Sequence, residues 1–107
     1  MNNKYTKLIE DLTTTKTGQM KVFGNSMLPI LKSGTLLTYK KQDKYEVGDI
    51  VFSKVKGRYI DAHKITKISS DGKYMIANNH NYENGWTDTI YGKAVKGEIN
   101  NKVYYTN

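Results

Sequence analysis

The sequence of 107 residues contains no cysteine and only one proline. The lack of cysteine excludes a disulfide framework and any zinc site built on thiolates. A chain of this length buries enough apolar surface to fold as one domain without such links. It also suits a cytoplasmic protein, since disulfides belong to oxidising compartments. We expect a cytoplasmic location, no metal and no other cofactor.

Long apolar runs are missing as well. No stretch approaches the roughly 20 apolar residues that span a bilayer. Residues 1–20 are polar and lack the apolar segment of a secretory signal. We therefore expect a soluble protein without a transmembrane anchor.

Acidic residues are few compared with basic ones. Lysine and arginine number 17 against 10 aspartates and glutamates, which gives a formal net charge of +7. Such an excess suits anionic partners, nucleic acid among them. The lysines are scattered without a block of like charge, which favours a solvated basic surface. Nucleic-acid binding stays as an alternative hypothesis that we do not favour.

The remaining pattern predicts a mainly β domain with one helix. Tyr5, Leu8, Ile9 and Leu12 recur at helical spacing within residues 3–13. Segments rich in β-branched and aromatic residues, separated by glycine and asparagine turns, predict strands. The predicted strands cover residues 19–23, 35–40, 49–55, 59–68, 73–77, 89–95 and 102–105. We expect an N-terminal helix and connector over residues 1–18 and a β domain over residues 19–107.

Residues 78–88 differ from the rest because they are polar and too long for a tight turn. Loops of this length are often functional. Tyr82 and Trp86 in this segment either line a cleft or cap the core. His80 has no acidic or histidine neighbour with which to bind a metal, so we expect it to be exposed.

Ser26 stands where a predicted strand ends. Gly24 permits a sharp exit from the strand, and Pro29 stiffens the chain beyond it. The turn would present the Ser26 hydroxyl at the strand end, with its own N–H as a donor to an oxyanion. By itself such a turn is more often only a turn.

The motifs around Ser26 give it more weight. Gly24-Asn25-Ser26-Met27-Leu28-Pro29 resembles the G-x-S-M-x-P box of signal peptidases and of the related self-cleaving repressors. Further resemblances follow in chain order. They are Gly48-Asp49-Ile50-Val51, Ile60-Asp61-Ala62-His63-Lys64-Ile65, Asn78-Asn79 and Gly92-Lys93-Ala94-Val95. The resemblance spans roughly residues 20–96.

This resemblance implies two things. One is the β-ribbon fold of signal peptidases and repressor peptidases, and the other is a serine endopeptidase activity. Ser26 would be the nucleophile. Substrate would be contacted at Gly24, Asn25, Met27 and Pro29. The partner would be a protein or peptide substrate, bound as an extended strand with small residues before the cleaved bond.

The resemblance places His63 at the position of the general base and Lys64 at the basic residue after it. That order is similar to the archaeal and endoplasmic-reticulum signal peptidases, which pair serine with histidine. Adjacent strand residues point to opposite faces, so only one of the two can face Ser26. Imidazole accepts a proton near neutral pH, whereas a lysine must first have its pKa lowered by burial.

A histidine base usually has an acid that fixes its tautomer. Asn78 stands where the resemblance places the first such acid, and Asp88 better matches the second. Asp61 is a weaker candidate, because its side chain runs parallel to that of His63 on one strand. The predicted catalytic set is Ser26, His63 and Asp88. Because of Asn78, a catalytically impaired binding or regulatory module, encoded by a phage or mobile element, is kept as an alternative.

Overall fold

Eight antiparallel strands and one α-helix make up the part of the chain that the computed structural model describes, residues 4–107. The elements are α1 (Lys4–Thr15), β1 (Thr17–Val22), β2 (Thr35–Lys40), β3 (Ile50–Val55), β4 (Arg58–Ile68), β5 (Tyr74–Ala77), β6 (Glu83–Thr87), β7 (Ile90–Ile99) and β8 (Lys102–Thr106). The prediction of a mainly β fold with one short N-terminal helix is confirmed.

The strands form one sheet in the order β1-β2-β7-β3-β4-β5-β6, with β8 paired to β7. Strand β1 pairs only with β2, so it lies at an edge of the sheet. It runs directly into the turn that holds Ser26. The opposite edge is β6, which leads back to β3 through the interior strands β5 and β4.

Strand β6 lies within residues 78–88, where the sequence predicted a single long loop, and in this respect the prediction was wrong. Met75 and Ala77 of β5 pair with Trp86 and Glu83 of β6. Glycine and polar residues gave β6 no alternating apolar pattern. Its strand conformation follows from backbone pairing with β5, which no local pattern reveals.

The last turn of helix α1 consists of three threonines whose hydroxyls bond to the helix backbone. The hydroxyls of Thr13, Thr14 and Thr15 donate to carbonyl oxygens four residues earlier, at 2.8 to 2.9 Å. Lys16 then takes the left-handed conformation (φ 67°) in which helices commonly end. No helix among residues 4–107 has the length and apolar character needed to cross a bilayer.

The helix belongs to the same core as the sheet. Its Leu8 and Leu12 side chains are each 1% exposed and pack with Met20 and Val22 of β1. Burial of a leucine side chain of this kind stabilises a fold by about 1.5 to 3 kcal/mol. The centre of this core is Phe52 of β3, which is fully buried. Aromatic rings surround it, those of Tyr5, Tyr39, Tyr59 and Tyr91.

Strand β4 carries a bulge next to His63. Val51 pairs with His63 and Ser53 pairs with Ile60, so Phe52 alone faces two residues of β4. These two are Asp61 and Ala62, and Ala62 has a φ of 55°. The left-handed region is unfavourable for alanine, and such conformations cluster at functional sites.

Candidate active site

Ser26 and His63 line the same cavity, which has a volume of about 180 Å³. Ser26, in the turn after β1, lies in one wall of the cavity. His63, beside the bulge of β4, lies in the other. Apolar side chains fill out the cavity, those of Val22, Met27, Leu31 and Ala62. Because the two walls come from distant parts of the chain, only the folded sheet places Ser26 and His63 at one cavity.

The ring of His63 is oriented by its own strand. Its Nδ1 atom lies 2.8 Å from the carbonyl oxygen of Asp61. A carbonyl oxygen only accepts hydrogen bonds, so Nδ1 is the atom that carries the proton. In the neutral ring, Nε2 then has a free lone pair. In this tautomer Nε2 is the ring nitrogen that can accept a proton.

The Ser26 turn is closed by several short-range hydrogen bonds. Gly24 takes a φ of 102°, which glycine adopts without steric cost, and its N–H donates to Ser33 Oγ at 3.1 Å. The N–H of Leu28 donates to the carbonyl of Asn25 at 3.2 Å. Within residues 4–107, the backbone N–H of Ser26 has no acceptor.

A second segment holds this turn from outside. The N–H of Asn79 donates to the Ser26 carbonyl at 2.8 Å, and its side-chain amide donates to the Leu28 carbonyl at 2.8 Å. The Nε2 atom of His80 lies 2.9 Å from the Asn25 carbonyl oxygen. We call Asn79 and His80 the clamp. It holds three carbonyl groups, those of Asn25, Ser26 and Leu28.

Asn78 shapes the loop that bears the clamp. Its Oδ1 atom accepts from the N–H of His80 at 2.7 Å and from the N–H of Tyr82 at 3.0 Å. This is the position where the resemblance placed an acid. The asparagine oxygen is directed into its own loop, so the position has a structural role that an amide can fill.

Lys64, the neighbour of His63 on β4, is not among the residues that line the cavity. Its Nζ atom lies 3.1 Å from Asn79 Oδ1. Lys64 thus supports the clamp and does not line the cavity that contains Ser26.

The structure does not bring Asp88 to His63. Asp88 is exposed, accepts a hydrogen bond from the Thr89 hydroxyl at 3.1 Å, and lines a separate cavity beside Tyr45 and Tyr74. Asp61, in contrast, lines the same cavity as Ser26.

The four predicted substrate-contacting residues are placed differently from one another. Gly24 and Met27 line the cavity, with the Met27 side chain only 3% exposed. Asn25 and Pro29 are exposed and lie outside its lining.

Helix α1 reaches this site through Tyr5. The Tyr5 hydroxyl donates to Asp61 Oδ1 at 3.4 Å. Burial raises the pKa of Tyr5, and the negative charge of Asp61 raises it further. The phenol therefore stays protonated and keeps its donor beside the cavity.

The sequence model of the Peptidase S24-like family matches residues 2–96. This chain belongs to that family. The Peptidase S24-like match covers every residue named in the site and confirms the relation to signal peptidases and self-cleaving repressors. The family includes serine peptidases and also members without activity. Comparison with curated proteins and with solved structures found no match.

Sequence reasoning missed the clamp. The Asn78-Asn79 motif signalled that this segment matters, but not which atoms it holds. His80 was expected to be exposed, and it is, yet its ring contacts the backbone next to Ser26. Nothing in its neighbourhood along the sequence indicated that contact.

Proposed function

We propose that this Peptidase S24-like protein is a serine endopeptidase in which Ser26 is the nucleophile and His63 the general base. One observation supports this most strongly. Ser26 and His63 share a cavity, and the Asp61 carbonyl holds His63 in the tautomer whose Nε2 accepts a proton. The left-handed conformation of Ala62 beside His63 adds support, because strained backbone of this kind clusters at functional sites.

The chemistry follows the general serine–base scheme. The Ser26 oxygen attacks the peptide carbonyl while its proton passes to His63 Nε2. The Ser26 N–H donates to the oxyanion that forms. His63 then gives the proton to the departing amine, leaving an acyl-serine. A water molecule, deprotonated by His63, hydrolyses the ester and restores both residues.

In this proposal the orienting group is the Asp61 carbonyl and not the Asp88 carboxylate. The carbonyl already occupies Nδ1 of His63 at 2.8 Å, while Asp88 lies at another cavity. The Asp61 carboxylate lines the cavity too.

The substrate would bind as an added strand along β1. Its outer edge is not paired within residues 4–107, and the strand leads directly to Ser26. Backbone pairing at such an edge gives affinity without sequence preference. The small cavity beside Ser26, lined by both apolar and polar residues, would then select a small side chain in the substrate.

A serine-reactive fluorophosphonate tests the proposal directly. We expect the wild-type protein to be labelled and Ser26→Ala to remain unlabelled. His63→Ala should be labelled at least about 100-fold more slowly, since general-base catalysis contributes that much or more. Ser70→Ala, at an exposed turn serine, is the matched control and should react like the wild type.

Two outcomes would contradict the proposal. One is labelling of Ser26→Ala at the wild-type rate, which would locate the reactive group elsewhere. The other is a wild-type protein that resists labelling over a wide pH range. That second result would favour the binding-module alternative on the same fold.

A further inference from the structure

The clamp residue His80 contacts the backbone of the nucleophile turn 55 positions earlier in the sequence. We propose that His80 is a positioning residue that fixes the direction of the Ser26 N–H, the donor to the oxyanion. This inference rests on the proposed function for its catalytic consequence. Its structural part stands independently.

The argument starts from one peptide group. The Asn25 carbonyl and the Ser26 N–H belong to the same planar unit, which is trans in this structure. In a trans peptide the C=O and N–H bonds point in opposite directions. Holding the Asn25 oxygen therefore fixes where the Ser26 N–H points, although nothing touches the N–H itself.

The Asn25 oxygen is held by two donors. Leu28 N–H reaches it at 3.2 Å from within the turn, and His80 Nε2 reaches it at 2.9 Å from outside. The contact with Leu28 is long and belongs to a turn whose outer residues are exposed. The bond from His80 is the shorter of the two and comes from outside the turn, so it adds a restraint on the peptide plane that the turn itself does not supply.

The next peptide group is held in the same way. Asn79 N–H donates to the Ser26 carbonyl at 2.8 Å, so consecutive residues of the clamp hold consecutive carbonyls of the turn. His80 is itself anchored, because its N–H donates to Asn78 Oδ1 at 2.7 Å. The contact of His80 is therefore one of a set of hydrogen bonds that join the clamp to the Ser26 turn.

The two histidines must hold opposite tautomers. Because Asn25 offers an oxygen that only accepts, the donor in the contact is His80 Nε2–H. In His63 the protonated atom is Nδ1. The nitrogen-15 shifts of the two rings report this difference directly.

Loss of His80 would lower the reaction rate by weakening stabilisation of the transition state. An oxyanion donor acts when negative charge develops, and removing one outright costs about 100- to 1,000-fold. Loosening a donor that remains present should cost less, about 10-fold. The loss should fall on the rate of bond formation and leave initial binding intact.

The test compares His80→Ala with His80→Gln. The glutamine amide keeps a donor at about the reach of Nε2, so it should restore what alanine loses. Tyr82→Phe, which removes an exposed hydroxyl from the same loop, is the control. With the fluorophosphonate we expect the maximal inactivation rate to fall about 10-fold in His80→Ala, with an unchanged inhibitor constant. His80→Gln and Tyr82→Phe should stay near the wild-type rate.

A measurement on the amide itself separates this inference from the proposed function. In proton–nitrogen spectra, the Ser26 amide signal should shift in His80→Ala and return in His80→Gln. If the wild type is labelled but His80→Ala reacts equally fast, the catalytic role of His80 is overturned while the serine mechanism stands. If the wild type is never labelled, the proposed function fails. An unmoved Ser26 signal in His80→Ala would then overturn the positioning role as well.

Discussion

The Nδ1 atom of His63 and the carbonyl oxygen of Asp61 lie 2.8 Å apart, although the two residues are only two positions apart on the same strand. In a regular strand a side chain projects away from its own backbone and does not meet a carbonyl of that strand. The bulge at Ala62, with its φ of 55°, makes the contact feasible. A backbone carbonyl thus does for the histidine tautomer what a carboxylate does in a serine–histidine–aspartate triad.

This relationship predicts that Asp88 is dispensable. We expect Asp88→Asn to be labelled by fluorophosphonate within about twofold of the wild-type rate, because Asp88 lies at a different cavity and contacts Thr89. Surface substitutions of this kind also change stability by only about 0.5 kcal/mol. A loss of reactivity of tenfold or more in Asp88→Asn, with the fold intact, would restore Asp88 as the orienting acid.

Lys64 provides a direct check on which residue is the base. We expect Lys64→Met to slow labelling by several-fold, since it removes the bond from Lys64 Nζ to Asn79 and loosens the clamp. It should not approach the loss expected for His63→Ala. Labelling rates for the two variants, measured side by side, decide the matter. If Lys64→Met were as inert as Ser26→Ala, the base would be lysine and the assignment of His63 would fall.

Buried Tyr39 should make the fold less stable at alkaline pH. Burial raises the pKa of Tyr39 well above its ordinary value of 10.0, and the nearby charge of Asp61 adds to this. The folded state therefore retains a proton that the unfolded chain releases. Stability is complete below pH 10 and falls as the pH rises above it, by up to about 1.4 kcal/mol per pH unit for one such group.

Urea unfolding of the wild type and Tyr39→Phe over this pH range isolates the contribution of Tyr39. The difference in free energy of unfolding between them should be constant below pH 10. Above it, the wild type should lose stability relative to Tyr39→Phe. Parallel curves for the two proteins would contradict a raised pKa for Tyr39.

Much of the fold was predictable because its signals are local. The helical spacing of Leu8 and Leu12 predicted the buried face of α1, and segments rich in β-branched and aromatic residues predicted seven of the eight strands described. Strand β6 was not predictable, because Glu83 and Gly85 have no strand pattern and follow β5 only through pairing.

The site divides in the same way. The ordered motifs predicted that Ser26 and His63 belong together, and the structure brings both to one cavity. The contact of His80 with Asn25 was hidden, since it joins an exposed side chain to a backbone oxygen 55 positions away. Asp88 was chosen because its position in the sequence best matched the second acid that the resemblance implies. Sheet pairing, which sets distance in space, directs it to another cavity.

Phe52 connects the core to the site, and its removal should affect both. It is fully buried, faces the bulge of β4 across the strand pair, and stacks at 5.7 Å against Tyr5, which contacts Asp61. Phe52→Ala should lower the free energy of unfolding by about 3 to 5 kcal/mol, as large-to-small changes in cores do. Phe52→Leu keeps most of the volume and should cost less than half as much free energy of unfolding. Urea unfolding measures both variants.

Fluorophosphonate labelling of Phe52→Leu should also slow, because the bulge that orients His63 loses its aromatic support. A Phe52→Leu protein that is less stable yet labelled at the full rate would show that the bulge holds its shape without Phe52.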